Sequence, residues 1–203
     1  MATQPRTRLD PDLRRAQILD AATEIFREQE YSAVSLDAVA AAAGVTRGLL
    51  HHYFGSKRGL YLEVVEGVVR IPAETQLIPD GTTGELADVL AVCVESWMRM
   101  IESAGGLWSS AAGAGGFAES DVDVVITRAR DELVERMVAE LPFPDALDVD
   151  LLRSALRAFA AWARVATDEW LVQRTLSRDR TAAMLLAALL AIVESVVPSM
   201  MEA

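Results

Sequence analysis

The chain has one cysteine, one lysine and two histidines in 203 residues. The lone Cys93 excludes an internal disulfide framework and any cysteine-built zinc site, and it fits a reducing compartment. The opening stretch, MATQPRTRLDPD, has no apolar segment of the kind a signal peptide needs. The longest uninterrupted apolar run, Ala182–Val193, is 12 residues, short of the ~20 that span a bilayer. A cytoplasmic protein without membrane contact is expected. No Ser-His-Asp set, metal cluster or phosphate-cradling loop after a strand is visible, and the glycines at 113–116 are too weak a signal. His51 and His52 are adjacent, so on a helix they point about 100° apart and do not converge on an ion. No enzymatic activity, metal or cofactor is therefore expected.

The most informative absence is local. The chain holds 30 Asp+Glu against 19 Lys+Arg, a net charge of −11. Yet Ala38–Leu62, 25 residues, contains no carboxylate, where the average density would place between three and four. Arg47, His51, His52, Lys57 and Arg58 stand there instead. Residues 1–60 carry a net +1 and residues 61–203 a net −12. Such an asymmetry points to two parts with different partners.

What is present reads as helix almost throughout: Ala, Leu, Arg and Glu dominate, and no run alternates with period 2 long enough for a strand. An all-α fold is expected. Asp10 and Pro11 make an N-cap and first position for a helix to about Gln29, with Ile18, Ala22, Ile25 and Phe26 on one face. Ser35 caps a short helix whose apolar residues are Leu36, Val39, Ala40 and Ala43, and Gly44 follows where a left-handed residue is wanted. Thr46 caps a second short helix to about His52. Ser56 opens a longer one to about Ile71, ended by Pro72. Two short helices across a glycine turn have the shape of a helix-turn-helix. A two-turn helix is not stable alone, so Leu50 and Phe54 are its expected anchors. A linker follows at 71–84, then helices at 85–103, 120–141, 148–175 and 178–197, with a glycine-rich segment at 104–116.

Residues 15–65, RAQILDAATEIFREQEYSAVSLDAVAAAAGVTRGLLHHYFGSKRGLYLEVV, resemble the N-terminal domain of the TetR family of bacterial transcriptional regulators. The likeness rests on the first helix with Phe26, the Val39-Ala40 pair, Ala43-Gly44-Val45-Thr46, Phe54, and Ser56-Lys57 with Leu60. It covers about a quarter of the chain. Two positions depart from the family pattern: Glu30 stands where a glycine is usual, and His51 where a tyrosine is usual, with Tyr53 two residues on.

The resemblance implies a helix-turn-helix DNA-binding domain over 1–60 and a larger helical domain over 61–203 for effector binding and dimerisation. It also implies a ligand-responsive regulator, expected to be a repressor, that binds a near-palindromic operator as a dimer and is released by a small-molecule effector. The recognition helix would present Thr46, Arg47, Gly48 and Leu49 to base edges in the major groove. Arg47 suits guanine O6 and N7, and Gly48 permits close backbone approach. Lys57 at a helix N-terminus suits a phosphate, Ser35 is a cap and a candidate phosphate contact, and His51, His52 or Tyr53 would supply the aromatic contact. Arg6 and Arg8 form a small basic arm or a plain tail. An effector pocket would be lined by groups such as Cys93, Trp97, Met100, Trp108, Phe117 and Trp162, although spacing alone does not separate pocket from core. Apolar lining would suit a lipophilic or aromatic effector, and the acidic body a cationic one. The last two helices would form the homodimer, because Ala182–Val193 is apolar almost all round. The competing reading is a helical partner-binding protein whose DNA-binding head has degenerated.

Overall fold

The structure, a computed structural model, describes residues 10–72, 74–105, 107 and 120–202. Arg6, Arg8, Trp108 and Phe117 lie outside them. Among the described residues the secondary structure is entirely helical: α1 (Pro11–Glu28), α2 (Leu36–Ala42), α3 (Arg47–Phe54), α4 (Lys57–Val69), α5 (Leu86–Ala104), α6 (Ser120–Glu140), α7 (Val149–Leu171), α8 (Arg178–Ala191) and α9 (Val197–Met201).

The starts of these helices follow from side-chain oxygens placed to satisfy free amides. Asp10, Ser35, Thr46, Ser56, Asp148 and Ser177 each accept a hydrogen bond from an amide in the first turn. The turn between α2 and α3 is a Schellman motif. The Gly44 amide donates to the Ala41 carbonyl at 3.1 Å, and the Val45 amide to Ala40 at 2.9 Å. This geometry needs φ of +61° at Gly44. The bend after α1 makes no such demand. Among the described non-glycine residues only Arg174 has positive φ, so Glu30 fits its turn as an ordinary residue.

Two apolar clusters organise the chain. The first joins α1–α4, centred on Ile18, Phe26, Leu50, Leu60 and Tyr61, and takes in Leu107 and Val122. Phe26 and Tyr61 meet edge to face at 5.0 Å, and Tyr31 packs on Tyr61 at 5.0 Å. The second joins α5–α9 around Leu90, Met98, Ile101, Leu156, Leu185 and Val197. Between them α4 packs on α6. Arg58 pairs with Asp121, and Arg70 with Glu132 at 3.0 Å, so α4 and α6 are also joined by charge.

The structure differs from the sequence expectation in three helices. α7 ends at Leu171, four residues short of the expected Thr175. α3 continues past His52 to Phe54, which places Tyr53 on the helix. The last helix is not regular through Val197: Ile192–Val196 form a π turn, with the Val197 amide donating to Ile192. Pro198 explains the break, because it has no amide to continue the α-helical ladder. The helical segment is nonetheless continuous from Arg178 to Met201, 24 residues with a mean hydropathy of 2.0 in its most apolar window. By length and composition it could cross a membrane, which the 12-residue run did not foretell, since Glu194 interrupts the run but not the helix. Only 28% of that window is buried within the chain.

Candidate functional site

α3 rests on two side chains one turn apart, Leu50 and Phe54, both buried. Arg15 of α1 lies over the Phe54 ring at 5.4 Å and pairs with Glu63 of α4, bracing α3 from behind. Tyr53 packs in part against the first apolar cluster, and the rest of the helix faces outward. Thr46, Arg47, Gly48, His51 and His52 are exposed, and Leu49 and Tyr53 are half-buried. Gly48 has nothing within 4 Å of where a Cβ would sit, so its surface is open to a close-packed partner.

Arg47 is not idle. It donates to the Asp37 carboxylate of α2 at 2.8 Å, and both side chains are about two-thirds exposed. Exposed pairs of this kind are worth roughly 0–1 kcal/mol, so a guanine edge or a phosphate can displace the carboxylate. Asp37 stands one residue outside the acid-free window, and its position as N2 of α2 could have announced it.

Ser35 and Thr46 spend their hydroxyls as caps, on the Asp37 amide and the Leu49 amide, each at 3.2 Å. Lys57 donates to the Ser32 carbonyl at 3.2 Å and lies 4.5 Å from the Tyr31 ring centre, a cation–π contact. Partial burial pushes its ammonium pKa down. One of its three N–H donors is used by Ser32, which leaves the others for a phosphate. Gly59 was not singled out in the sequence. A Cβ there would lie 2.3 Å from the Phe54 carbonyl oxygen, so only glycine lets α4 start this close to the end of α3.

The second site is a cavity of about 420 Å³ in the body, between α5, α6, α7 and α8 and the segment after α4. Cys93, Trp97 and Met100 line it. The Cys93 thiol donates to the Leu77 carbonyl at 3.2 Å, and burial pushes its pKa up. Trp162 does not line the cavity and is 40% exposed. It directly precedes buried Ala163, and so is turned about 100° away from the core face. The residues that sequence reasoning missed here are Arg130 and Arg164, which look in the sequence like any other arginine of the body.

Residues 18–64 match the family model for bacterial regulatory proteins of the tetR family. Curated relatives align over the same region. The transcriptional activator FasR of Mycolicibacterium smegmatis is 44% identical over 59 residues, 29% of this chain and 27% of that protein. The regulator BetI of Rhizobium meliloti is 35% identical over 65 residues, 32% of each chain. The aligned segments thus span about a third or less of these curated relatives. Solved structures align over nearly the whole chain. A tetR-family regulator from Streptomyces coelicolor superposes with a TM-score of 0.72 at 21% identity, covering 96% of this chain and 87% of the other. NalD of Pseudomonas aeruginosa, described as the secondary repressor of a multidrug efflux pump, gives 0.58 at 24% identity, covering 92% and 100%. At these identities the likeness is one of fold: an N-terminal helix-turn-helix domain followed by a larger helical domain.

Proposed function

We propose that this chain, which belongs to the tetR family of bacterial regulatory proteins, is a cytoplasmic, ligand-responsive transcriptional repressor that binds a near-palindromic operator as a homodimer. One observation carries the reading. In a chain of net charge −11, α3 stands proud on Leu50 and Phe54 and presents Thr46, Arg47, Gly48 and Leu49 with no carboxylate beside them but Asp37, among the described residues. A negative polymer can approach that face and is repelled by most of the rest. Arg47 then reads a base edge, while Lys57, Ser35 and the His51–Tyr53 turn contact the backbone.

The dimer would form through α7 and the α8–α9 segment. Trp162, Val165, Val196, Met200 and Met201 expose large apolar surface there, and Ala183, Ala187 and Ala191 form an exposed stripe at four-residue spacing on α8. A second copy covers this surface in a four-helix packing and presents two α3 helices to successive turns of DNA. The same burial removes the need for a bilayer around the 24-residue apolar segment.

The effector would occupy the cavity. Val69 and Ile71, at and just beyond the end of α4, line it, and α4 is tied to α6 by charge. A ligand that favours one arrangement of these helices shifts the separation of the two heads, and so the affinity for the operator. Among the relatives, FasR is named an activator and NalD a repressor, so the sign is not carried by the fold. Repression is proposed because it requires only occupancy of the site, whereas activation needs a further contact surface.

Fluorescence anisotropy with operator DNA at two salt concentrations tests the reading. Arg47→Ala is expected to lose sequence preference while keeping a salt-sensitive, non-specific residue of binding. A parent chain that prefers no DNA sequence, with binding that Arg47→Ala leaves unchanged, would support the partner-binding alternative.

A further inference from the structure

The cavity lining repeats, in three dimensions, the absence seen along residues 38–62. Twenty-four of the described residues line it, and none of these is Asp or Glu, although the body carries a net −12. The only charged groups among them are Arg130 of α6 and Arg164 of α7. We propose that the effector of this cavity is an amphipathic anion: an apolar chain or ring carrying a carboxylate or a similar oxyanion. This rests on the reading of the cavity as the effector site, and it reverses the cationic preference that the overall charge of the body would suggest.

Both arginines have donors to spare. Arg164 makes no hydrogen bond, and no ion pair within 4 Å, with the described residues; its nearest acidic influence is Asp168, one turn on. Arg130 has only a loose contact with Asp131 at 3.9 Å, and Asp131 is shared with Arg157 at 3.5 Å. The Arg130 Nε is buried without a hydrogen-bond partner. The Arg130 guanidinium makes no hydrogen bond with the described residues, so a ligand oxyanion in the cavity can accept a charge-assisted bond from its Nη groups.

The cavity is polarised along its length. α6 and α7 run antiparallel, with Arg153 on Glu135 and Arg157 beside Asp131. In this register Arg164 lies beyond Arg130 toward the N-terminal end of α6, by about 9 Å at the helical rise. In the other direction Leu133, Met137 and Leu141 continue the α6 face into the cavity at helical spacing. An anionic head at the two guanidiniums thus leaves an apolar tail along Leu133–Leu141. The charged end is also the end nearest the first cluster, since Asp121 and Val122 at the start of α6 contact α4 and its core. Head-group binding therefore acts on the part of α6 that holds the DNA-binding domain.

Isothermal titration calorimetry of the full chain with decanoate, 1-decanol and decyltrimethylammonium tests this without altering the protein. Decanoate is expected to bind roughly tenfold or more tightly than decanol, as charge-assisted bonds require, and the cation most weakly. The double variant Arg130→Gln, Arg164→Gln is expected to bind acid and alcohol alike. Equal binding of all three probes by the parent chain, or an acid preference that survives the double substitution, overturns the anionic class while leaving the cavity as the site. Binding of none of the three, or binding unaffected by Ala160→Phe in the cavity wall, overturns the cavity reading itself and the inference with it.

Discussion

The two halves of the molecule have each cleared carboxylates from one surface, in opposite ways. In the head the cleared stretch is contiguous in sequence, Ala38–Leu62, and carboxylates from outside it pair with its arginines, Asp37 with Arg47 and Asp121 with Arg58. In the body it is concave and assembled from five separate segments, within residues 69–77, 93–100, 126–141, 159–164 and 185–189. The first suits a polyanion that stays outside, and the second a small anion that goes in. Net charge describes neither, because binding responds to the local field and not to the sum.

This difference can be broken most forcefully at Gly59. In Gly59→Ala the new methyl meets the Phe54 carbonyl, and the backbone at the α3–α4 junction must shift. Overpacking of this kind costs about 1–3 kcal/mol. Loss of DNA binding is expected with ligand binding by the body retained, as read by anisotropy and calorimetry on one preparation. Ala160→Phe is the mirror experiment. It is expected to abolish ligand binding and leave a repressor that no longer responds, with operator affinity unchanged. Loss of both functions in either variant would mean that the halves are not separable.

Arg47→Ala sharpens the head alone. Losing one bidentate base contact is worth about 1–3 kcal/mol of discrimination, or roughly fivefold to 150-fold between operator and random DNA. Asp37→Asn should act in the opposite sense and more weakly, since it frees Arg47 from an exposed pair and removes a charge facing phosphate. A few-fold gain in operator affinity at low salt, fading as salt rises, is the expected result.

The smallest effect concerns α5 and α8. The hydrogen bond from Arg178 holds the Glu95 carboxyl below the usual glutamate range. A lowered pKa in the folded state means that the stabilisation is full above the ordinary value near ~4.3 and is lost as pH falls through the lowered one. Glu95→Gln should therefore lower Tm slightly at neutral pH and converge with the parent in acid, so that the acid side of the Tm-against-pH curve flattens.

Local signals explain what could be read from sequence. Ser35, Gly44, Thr46 and Ser56 act within a few residues of themselves, through caps and a left-handed turn, so the starts of α2, α3 and α4 and the end of α2 were visible without any tertiary knowledge, whereas the end of α3 was not. Leu50 and Phe54 declared themselves by spacing. The cavity offered no such signal, because Arg130 and Arg164 come to line one space only after α6 and α7 pair. Trp162 and Trp170 sit on one helix, yet one faces out and the other in, a distinction of about 80° that composition does not carry. The π turn at Ile192–Val196 was signalled by Pro198 alone, and the Arg47–Asp37 contact by nothing beyond the place of Asp37 in the first turn of α2.

The measurement that tests the central claim most directly is selection of random DNA by the purified chain at near-physiological salt, followed by sequencing. The account predicts an enriched near-palindrome whose half-sites lie about one helical turn, ~34–36 Å, apart, and its loss with Arg47→Ala. Absence of any enriched sequence, with binding that disappears as salt rises, would contradict it.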